Sequence, residues 1–253
     1  MSPRSLSLLA LHLHDGEHAL VRDVSLTLRR GKVLGLVGTS GGGKSLTTLA
    51  ILDLLPPGVR RVAGLVALDS EPVEPATLRG RMVGLVQQAP RGGFNPLVTI
   101  GRHFFETFAC DGLRGAPARE KMQALLAEVG FERPGEIAPL YPSQLSGGML
   151  QRVMLALALA RDPFFLLADE PTTDLDLVVQ ARLLDLLETL VQRRGIGLLL
   201  VTHDLSVIAR LADTVAVMDQ GRIVELQSAR NLFEDPAHPR AQALVAAHRA
   251  LYA

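Results

Sequence analysis

Residues 38–45, with the sequence GTSGGGKS, decide the fold of this chain. They follow a short apolar run at 33–37 and precede a helical pattern over 46–55. A strand, a glycine-rich loop and a helix in this order are typical of a phosphate-binding loop. The glycines permit positive φ and bring backbone N–H groups close to a polyphosphate, while the helix adds the positive end of its dipole. The alternative is a glycine-rich turn that ends in Lys-Ser by chance, which the spacing and the flanks disfavour.

Two polar side chains end this loop. Lys44 supplies a mobile cation for the β- and γ-phosphates, and Ser45 supplies a hydroxyl ligand for Mg²⁺. The sequence therefore predicts nucleotide binding, and the use of that nucleotide must be inferred from other residues.

The composition is that of a globular domain, with 253 residues, 48% of them hydrophobic and 21% charged. Lys plus Arg number 26 and Asp plus Glu number 26, so no charge excess indicates nucleic acid or an anionic membrane surface. The single cysteine, Cys110, excludes an intrachain disulfide and a cysteine-built metal cluster, and it favours a reducing compartment.

No apolar run approaches the length of a membrane span, since the longest covers 153–160. The apolar start at 5–13 is interpreted as a first strand and not as a signal peptide, because histidines interrupt and follow it and no small-residue cleavage site is evident. We expect a soluble, cytosolic protein that acts at a membrane only as a peripheral subunit.

The pattern of apolar residues predicts an α/β chain with a helical insertion. Strands are expected within 5–37, with turns at 15–16 and 30–31, and then at 62–69, 82–87, 164–168, 197–202, 214–218 and 222–225. Helices are expected at 46–55, 100–110, 117–129, 147–160, 177–194 and 239–252. The strand at 33–37 is apolar on both faces, which indicates a buried parallel strand.

The predicted strand at 164–168 ends in two carboxylates, Asp169 and Glu170. Asp169 suits a Mg²⁺ role through water, and Glu170 could polarise a water for attack on the γ-phosphate. The alternative is an exposed acidic pair that caps the next helix.

A second place suited to phosphate lies at 145–151, LSGGMLQ, where Ser146, Gly147 and Gly148 begin an apolar helix. The alternative is an N-cap with a tight turn. His203 ends the strand at 197–202, where a neutral imidazole could hydrogen-bond the γ-phosphate. Gln87 and Gln88 end the strand at 82–87, and one of them could reach Mg²⁺ or the attacking water.

Taken together, GTSGGGKS, Gln88, LSGGMLQ, LLADEP, residues 173–176 and His203 resemble the nucleotide-binding subunit of ATP-binding-cassette (ABC) transporters over essentially the whole chain. The resemblance implies a phosphate-loop NTPase as a single ATP-binding domain over 1–253. Its core sheet is mostly parallel, with an antiparallel β subdomain and a helical subdomain at about 91–160 inserted in the RecA-like core.

The resemblance also implies the binding residues for ATP and Mg²⁺. The nucleotide contacts are Gly38, Thr39, Ser40, Gly41, Gly42, Gly43, Lys44, Ser45, Thr47, Gln88, Ser146, Gly147, Gly148, Asp169 and Asp176, the last within a D-loop at 173–176. Mg²⁺ ligands are Ser45, Gln88 and, through water, Asp169. Glu170 is the catalytic base, His203 the switch residue, and Lys44 and Gln88 complete the catalytic set. Gln88 is preferred to Gln87 because it matches the Gln-x-Pro pattern.

Two positions depart from the family pattern. Met149 and Leu150 stand between Gly148 and Gln151, where many members place Gln directly after the second glycine. No Tyr or Phe precedes residue 38, so the aromatic that usually stacks on adenine is missing, and His14 or His18 could replace it.

Residues 91–96 and 232–239 look like the peptide/nickel importer branch, and LPPGVR, LSGGMLQR and PTTDLD are similar to its nickel-import ATPases. The cysteine-bearing extension of the peptide ATPases is not present in this sequence. The predicted function is therefore an ATPase that energises nickel or nickel-chelate import. A peptide or metal–metallophore importer is the alternative, and a soluble non-transport ABC ATPase is a more remote one.

The resemblance implies partners and a location. It predicts a second ABC ATPase subunit in a hetero- or homodimer, two transmembrane permease subunits and a periplasmic substrate-binding protein, with no nucleic acid. The expected location is the cytoplasmic face of the inner (plasma) membrane, as a peripheral subunit.

Overall fold

Two β-sheets organise the chain, and the structure, a computed structural model, describes residues 2–173 and 175–251. In chain order the strands are β1 (Ser5–Asp15), β2 (His18–Arg29), β3 (Val33–Gly38), β4 (Val59–Leu68), β5 (Glu71–Val73), β6 (Val83–Val86), β7 (Phe165–Asp169), β8 (Gly197–Val201), β9 (Thr214–Asp219) and β10 (Arg222–Ser228). The helices are α1 (Lys44–Ile51), α2 (Ile100–Ala109), α3 (Gly115–Glu128), α4 (Pro134–Ile137), α5 (Gly147–Ala158), α6 (Leu177–Arg194), α7 (Leu205–Leu211), α8 (Ala229–Glu234) and α9 (Pro239–Leu251).

The larger sheet has the strand order β10-β9-β3-β8-β7-β6. Its strands from β9 to β6 pair in parallel, and only β10 is antiparallel to its neighbour. Every residue of β3, β7 and β8 is buried, which explains their continuous apolar sequences. The mostly parallel core sheet predicted from the sequence is confirmed, and it brings the carboxyl ends of β3, β8 and β7 to one edge.

The smaller sheet has the order β2-β1-β4-β5 and is antiparallel throughout. It contains the strands predicted within 5–29 and at 62–69. Strand β5 was not predicted, because it is only three residues long and carries Pro72. Proline is tolerated there because β5 lies at the edge of the sheet.

Between β6 and β7 the described elements are all helical, as predicted. The apolar faces of α2, α3 and α5 meet around Phe104, Phe108, Leu126 and Leu150, which are buried together in one core cluster. The predicted helices at 100–110, 117–129 and 147–160 agree with these helices to within two residues. The one-turn helix α4 was not predicted, because four residues are too few for a periodic pattern.

The helix after the phosphate loop corrects one prediction. It was expected over 46–55, but α1 begins at Lys44 and ends at Ile51, where Asp53 adopts a φ of 52°. Arg61 donates to a last-turn carbonyl, and Arg79 Nε donates to the carbonyl of Leu52 at 2.7 Å. The helix itself ends locally, because the N–H of Asp53 donates to Ala50 O at 3.2 Å and that of Leu54 to Leu49 O at 3.0 Å. The left-handed position is occupied by Asp53 and not by the usual glycine, so the stop was not evident in the sequence.

The second half of the chain agrees with the sequence in its long elements. Helix α6 has the predicted bounds, because Asp176 caps its N-terminus and Gly195 follows its end with a φ of 62°. The predicted hairpin is formed by β9 and β10. The short helices α7 and α8 were not predicted, and the predicted tail helix is α9 as far as 251, with Tyr252 outside the described residues. No described helix combines the length and hydropathy that crossing a bilayer requires.

The adjacent phenylalanines of α2 allow a matched stability test. Phe104 is fully buried, whereas Phe105 is 37% exposed. We expect Phe104→Ala to lower the free energy of unfolding by about 3–5 kcal/mol, since it leaves a cavity in the core, as measured by chemical denaturation. Phe105→Ala is the control and should cost much less. Equal losses from the two variants would contradict this packing.

Candidate functional site

The phosphate loop between β3 and α1 depends on glycine at two positions. Gly38 has a φ of 151°, and a Cβ there would overlap the carbonyl oxygen of Met218 on β9. Gly43, the residue before α1, has a φ of 97°, and a Cβ there would press on Met218 and Val21. The loop therefore lies so close to its neighbours that only glycine fits, and its backbone is free to face a ligand.

Lys44 is buried at the first position of α1. Its Nζ donates to the carbonyl oxygens of Gly38 at 2.9 Å and Thr39 at 3.0 Å. Burial lowers the pKa of the Lys44 ammonium, and the nearby carboxylates of Glu170 and Asp169 oppose this effect. The loop thus holds a partly desolvated cation close to two acids.

The carboxylate of Asp169 closes this cation site from the end of β7. Burial raises the pKa of its carboxyl group, the neighbouring Glu170 adds to this, and Ser45 and Lys44 act in the opposite direction. Its Oδ1 is buried without a hydrogen-bond partner. An orphaned carboxylate oxygen beside the exposed Ser45 hydroxyl is a donor set that fits Mg²⁺, which binds through oxygens and shares its shell with substrate phosphates.

Glu170 and His203 meet where β7 and β8 end. The Nδ1 atom of His203 lies 2.9 Å from Oε1 and 3.0 Å from Oε2 of Glu170. Glu170 is 9% exposed, but the His203 side chain is 67% exposed. Glu170 also has a φ of 48°, an uncommon conformation for a residue with a side chain, and its N–H donates to the carbonyl of Val201.

The remaining predicted loop residues differ in where they lie. Ser40 and Gly41 are exposed, and Thr39 is half-buried, while Gly42 is buried. Thr47 is fully buried, and its hydroxyl donates to the carbonyl of Gly43 at 2.9 Å. In this structure the Thr47 hydroxyl is therefore bonded to the backbone of the loop.

Gln88 lies just after β6 and is exposed. Its neighbour Gln87 is held by its backbone N–H, which donates to the sulfur of Met154 on α5 at 3.3 Å. Gln88 therefore lies at the junction between the sheet and the helices.

Ser146, Gly147 and Gly148 lie apart from that cluster. Ser146 caps α5, its Oγ accepting from Met149 N at 3.3 Å. Together with Asp176 and other residues, these three line a cavity of about 490 Å³ whose lining contains no residue of the phosphate loop.

Asp176 caps α6, since its Oδ1 accepts from the backbone of Val178 at 3.1 Å and Val179 at 2.9 Å. Within the predicted D-loop at 173–176, Asp174 lies outside the described residues. The candidate adenine-stacking residues are both on the small sheet, with His14 half-buried in β1 and His18 exposed at the start of β2.

Sequence reasoning missed two threonines that contact Glu170. The hydroxyl of Thr173 lies 3.4 Å and that of Thr202 3.5 Å from Glu170 Oε2. The available signal was position, because Thr202 directly precedes His203 at the end of a predicted strand.

A buried lysine on a glycine loop, with two carboxylates and a histidine at the ends of adjacent parallel strands, defines a nucleotide-binding protein of the phosphate-loop ATPase class. The family model described as ABC transporter matches residues 21–173. The chain belongs to the ABC transporter family, as one of its ATP-hydrolysing subunits.

Curated relatives agree with this assignment. The chain is 51% identical over 251 residues to the nickel import ATP-binding protein NikD of Pseudomonas putida, covering 99% of this chain and 98% of the relative. It is 53% identical over 233 residues to the protein of the same name from Rhodospirillum rubrum, covering 92% and 89%. The resemblance to nickel-import ATPases predicted from the sequence is confirmed.

Solved structures share the fold. The ATP-binding cassette MJ0796, described as a dimer in a post-hydrolysis state bound to ADP and Pi, is 26% identical with a TM-score of 0.78, over 89% of this chain and 99% of that one. The cbiO1 protein of Clostridium perfringens, part of the cbiONQ complex, is 22% identical with a TM-score of 0.76, over 92% of each chain.

The raised pKa of Asp169 predicts that removal of its charge stabilises the folded protein, by an amount that depends on pH. The folded state binds the proton more tightly than the unfolded state, so stability is lost as pH rises from the ordinary value near 3.8 through the raised value. Without nucleotide, Asp169→Asn should therefore be more stable than wild type at pH 7, and the difference should disappear below pH 3.8.

Thermal unfolding at several pH values, with and without ATP and Mg²⁺, measures this effect. Because Asn lacks the charge, ATP with Mg²⁺ should stabilise the variant less than it stabilises wild type. A variant that is less stable than wild type at pH 7 without nucleotide would contradict the assigned cost of burying this carboxylate.

Proposed function

We propose that this chain is the ATP-hydrolysing subunit that energises import through an ABC transporter, with nickel or a nickel chelate as the cargo. The proposal of nickel as the cargo rests on the relatives named nickel import ATP-binding protein NikD, which are 47–53% identical over most of the chain. No residue of the ATP site would touch the cargo, so the ATPase function and the cargo are tested separately.

The phosphate loop and α1 would bind the triphosphate of ATP. Backbone N–H groups around Gly41 and Gly43 and the N-terminus of α1 face the phosphates, and the Lys44 ammonium exchanges its carbonyl contacts for phosphate oxygens. Ser45 and Asp169, with Gln88 from its loop, would hold Mg²⁺. Mg²⁺ held there would neutralise negative charge on the phosphate oxygens.

Glu170 would act as the general base for hydrolysis. Its carboxylate orients a water and accepts its proton as the water oxygen bonds to the γ-phosphorus and the bond to the β-phosphate oxygen breaks, yielding ADP and phosphate. With Nδ1 of His203 engaged by Glu170, Nε2 is the nitrogen available to the γ-phosphate. The exposure of the His203 side chain leaves Nε2 accessible to that phosphate.

Two such subunits would close head to tail around ATP, in a hetero- or homodimer. The separate cavity at Ser146, Gly147 and Gly148 supports this, because a phosphate on the partner's loop could meet the N-terminus of α5, with Asp176 alongside. Helices α2–α5 would form a subdomain of about 91–160 within a single domain over 1–253. This subdomain and the Gln88 loop would transmit the closing and opening of the dimer to two permeases. A periplasmic binding protein would deliver the cargo, and the chain would lie on the cytoplasmic face of the inner membrane.

Replacing Glu170 by Gln tests the chemistry. It keeps the shape of the side chain but removes the base, so ATP turnover should fall by about 10²–10⁴-fold while ATP binding persists. Lys44→Ala should instead weaken ATP binding, because a cation that contacts the phosphates is lost. Turnover and equilibrium ATP binding are measured on the full-length chain together with its co-purifying subunits.

Glu71→Gln is the matched control, since Glu71 is an exposed carboxylate on β5. It should change neither quantity. A normal hydrolysis rate in Glu170→Gln would show that another group activates the water, and a normal ATP affinity in Lys44→Ala would remove the role assigned to that ammonium.

The cargo is tested by uptake in cells that carry the wild-type chain or Lys44→Ala. Radioactive nickel uptake should be lost in the variant, because the energy source is removed, whereas uptake of a labelled dipeptide should be unchanged. Both are measured with and without an added metal chelator. Unchanged nickel uptake with lost dipeptide uptake would overturn the assignment of nickel as the cargo. Nickel uptake that requires the chelator would identify a metal–metallophore importer.

A further inference from the structure

The hydroxyl of Thr202 is placed to hold the carboxylate of Glu170. Thr202 follows β8 and is 1% exposed, and its Oγ1 lies 3.5 Å from Glu170 Oε2. The same Oγ1 accepts a hydrogen bond from the backbone N–H of Asp204 at 3.0 Å. A hydroxyl has one proton. Since the Asp204 N–H occupies an acceptor position, the Thr202 proton is free to point at Glu170.

Thr202 is also fixed in space more firmly than the other partners of Glu170. Its backbone N–H donates to the carbonyl of Leu36 on β3 at 3.2 Å, which ties it to the strand that enters the phosphate loop. A buried β-branched side chain has few rotamers, so the hydroxyl keeps its direction. His203, in contrast, has a largely exposed side chain, so its position is less restricted by packing.

The uncommon backbone conformation of Glu170 requires stabilising contacts from its surroundings. With a φ of 48°, Glu170 adopts a left-handed conformation that persists only where the surroundings determine it. Its N–H is bonded to Val201, and its carboxylate to Thr202, His203 and Thr173. Among these side-chain partners Thr202 is the most deeply buried, so it is the donor that restricts Oε2 most firmly.

We propose that Thr202 is a positioning residue for catalysis, which orients Glu170 toward the attacking water. This inference rests on the proposed role of Glu170 as the general base. Thr202 itself would touch neither ATP nor water, so removal of its hydroxyl should lower the rate of the chemical step and leave ATP binding unchanged.

Thr202→Val, which keeps the shape but lacks the hydroxyl, tests this inference. We expect kcat to fall about tenfold, the rate equivalent of one hydrogen bond lost in the transition state, with KM for ATP unchanged. Thr202→Ser restores the hydroxyl and should recover most of the rate. Thr189→Val, which removes a hydroxyl on α6 that donates to the Asp185 carbonyl, is the control and should have wild-type activity.

The double variant Thr202→Val/Glu170→Gln separates positioning from a structural role. If Thr202 acts through Glu170, Thr202→Val should cause no further loss of kcat in the Glu170→Gln background. Equal further loss there, no rescue by Ser, or a wild-type kcat in Thr202→Val would each overturn the inference. If Thr202→Val does not fold, as judged by circular dichroism and ATP binding, Thr202→Ala takes its place in the same comparison.

The single variant Glu170→Gln separates the test of Glu170 as the general base from the test of Thr202 as its positioning residue. Normal turnover in that variant would remove the role of Glu170 and the positioning role of Thr202 with it. Lost turnover in Glu170→Gln together with normal turnover in Thr202→Val would overturn only the inference about Thr202.

Discussion

The buried ammonium of Lys44 is the constraint around which the site is built. An isolated buried charge is very unfavourable, and here two loop carbonyls and two nearby carboxylates compensate for it only in part. The lowered pKa of Lys44 shows that the desolvation outweighs the attraction to Asp169 and Glu170. Phosphate oxygens would supply the missing negative charge. A bound anion would therefore stabilise the folded site, which is a physical basis for strong phosphate binding.

The parallel sheet brings the acids and the histidine to this cation. Strand β3 lies next to β8, and β8 lies next to β7, with Asp169 directly opposite Val201. Because all three strands run in one direction, the residues that follow them converge at one edge. Glu170 and His203 thus come within hydrogen-bond distance although 33 positions separate them in sequence. The left-handed conformation of Glu170 and the buried hydroxyl of Thr202 then determine where the carboxylate points.

Sequence patterns predicted the elements whose signals are local. Helix α6 carries its own cap at Asp176 and its own stop at Gly195, so both ends were predicted correctly. The predicted end of α1 was wrong because the helix ends at a left-handed Asp53, where glycine is the usual signal. The candidate site followed from motifs, which record residue type and spacing. The position of Thr202 before His203 was a local signal, but its contact with Glu170 depends on strand order and on an uncommon backbone conformation, which motifs do not record.

The phosphate loop and the N-terminus of α5 line separate sites, which explains how ATP could stabilise the proposed dimer. The first N–H groups of α5 have no partner within the helix, and a Cβ at Gly147 would meet no atom, so this backbone is open to a ligand. The Met149 N–H is bonded to Ser146 Oγ, and Gly147 is exposed to solvent in a single chain. In the head-to-tail arrangement, a γ-phosphate would bond Lys44 of one subunit and the α5 N-terminus of the other. Hydrolysis breaks the covalent link between that phosphate and the rest of the nucleotide, so the event that ends the chemistry also removes the group that joins the subunits.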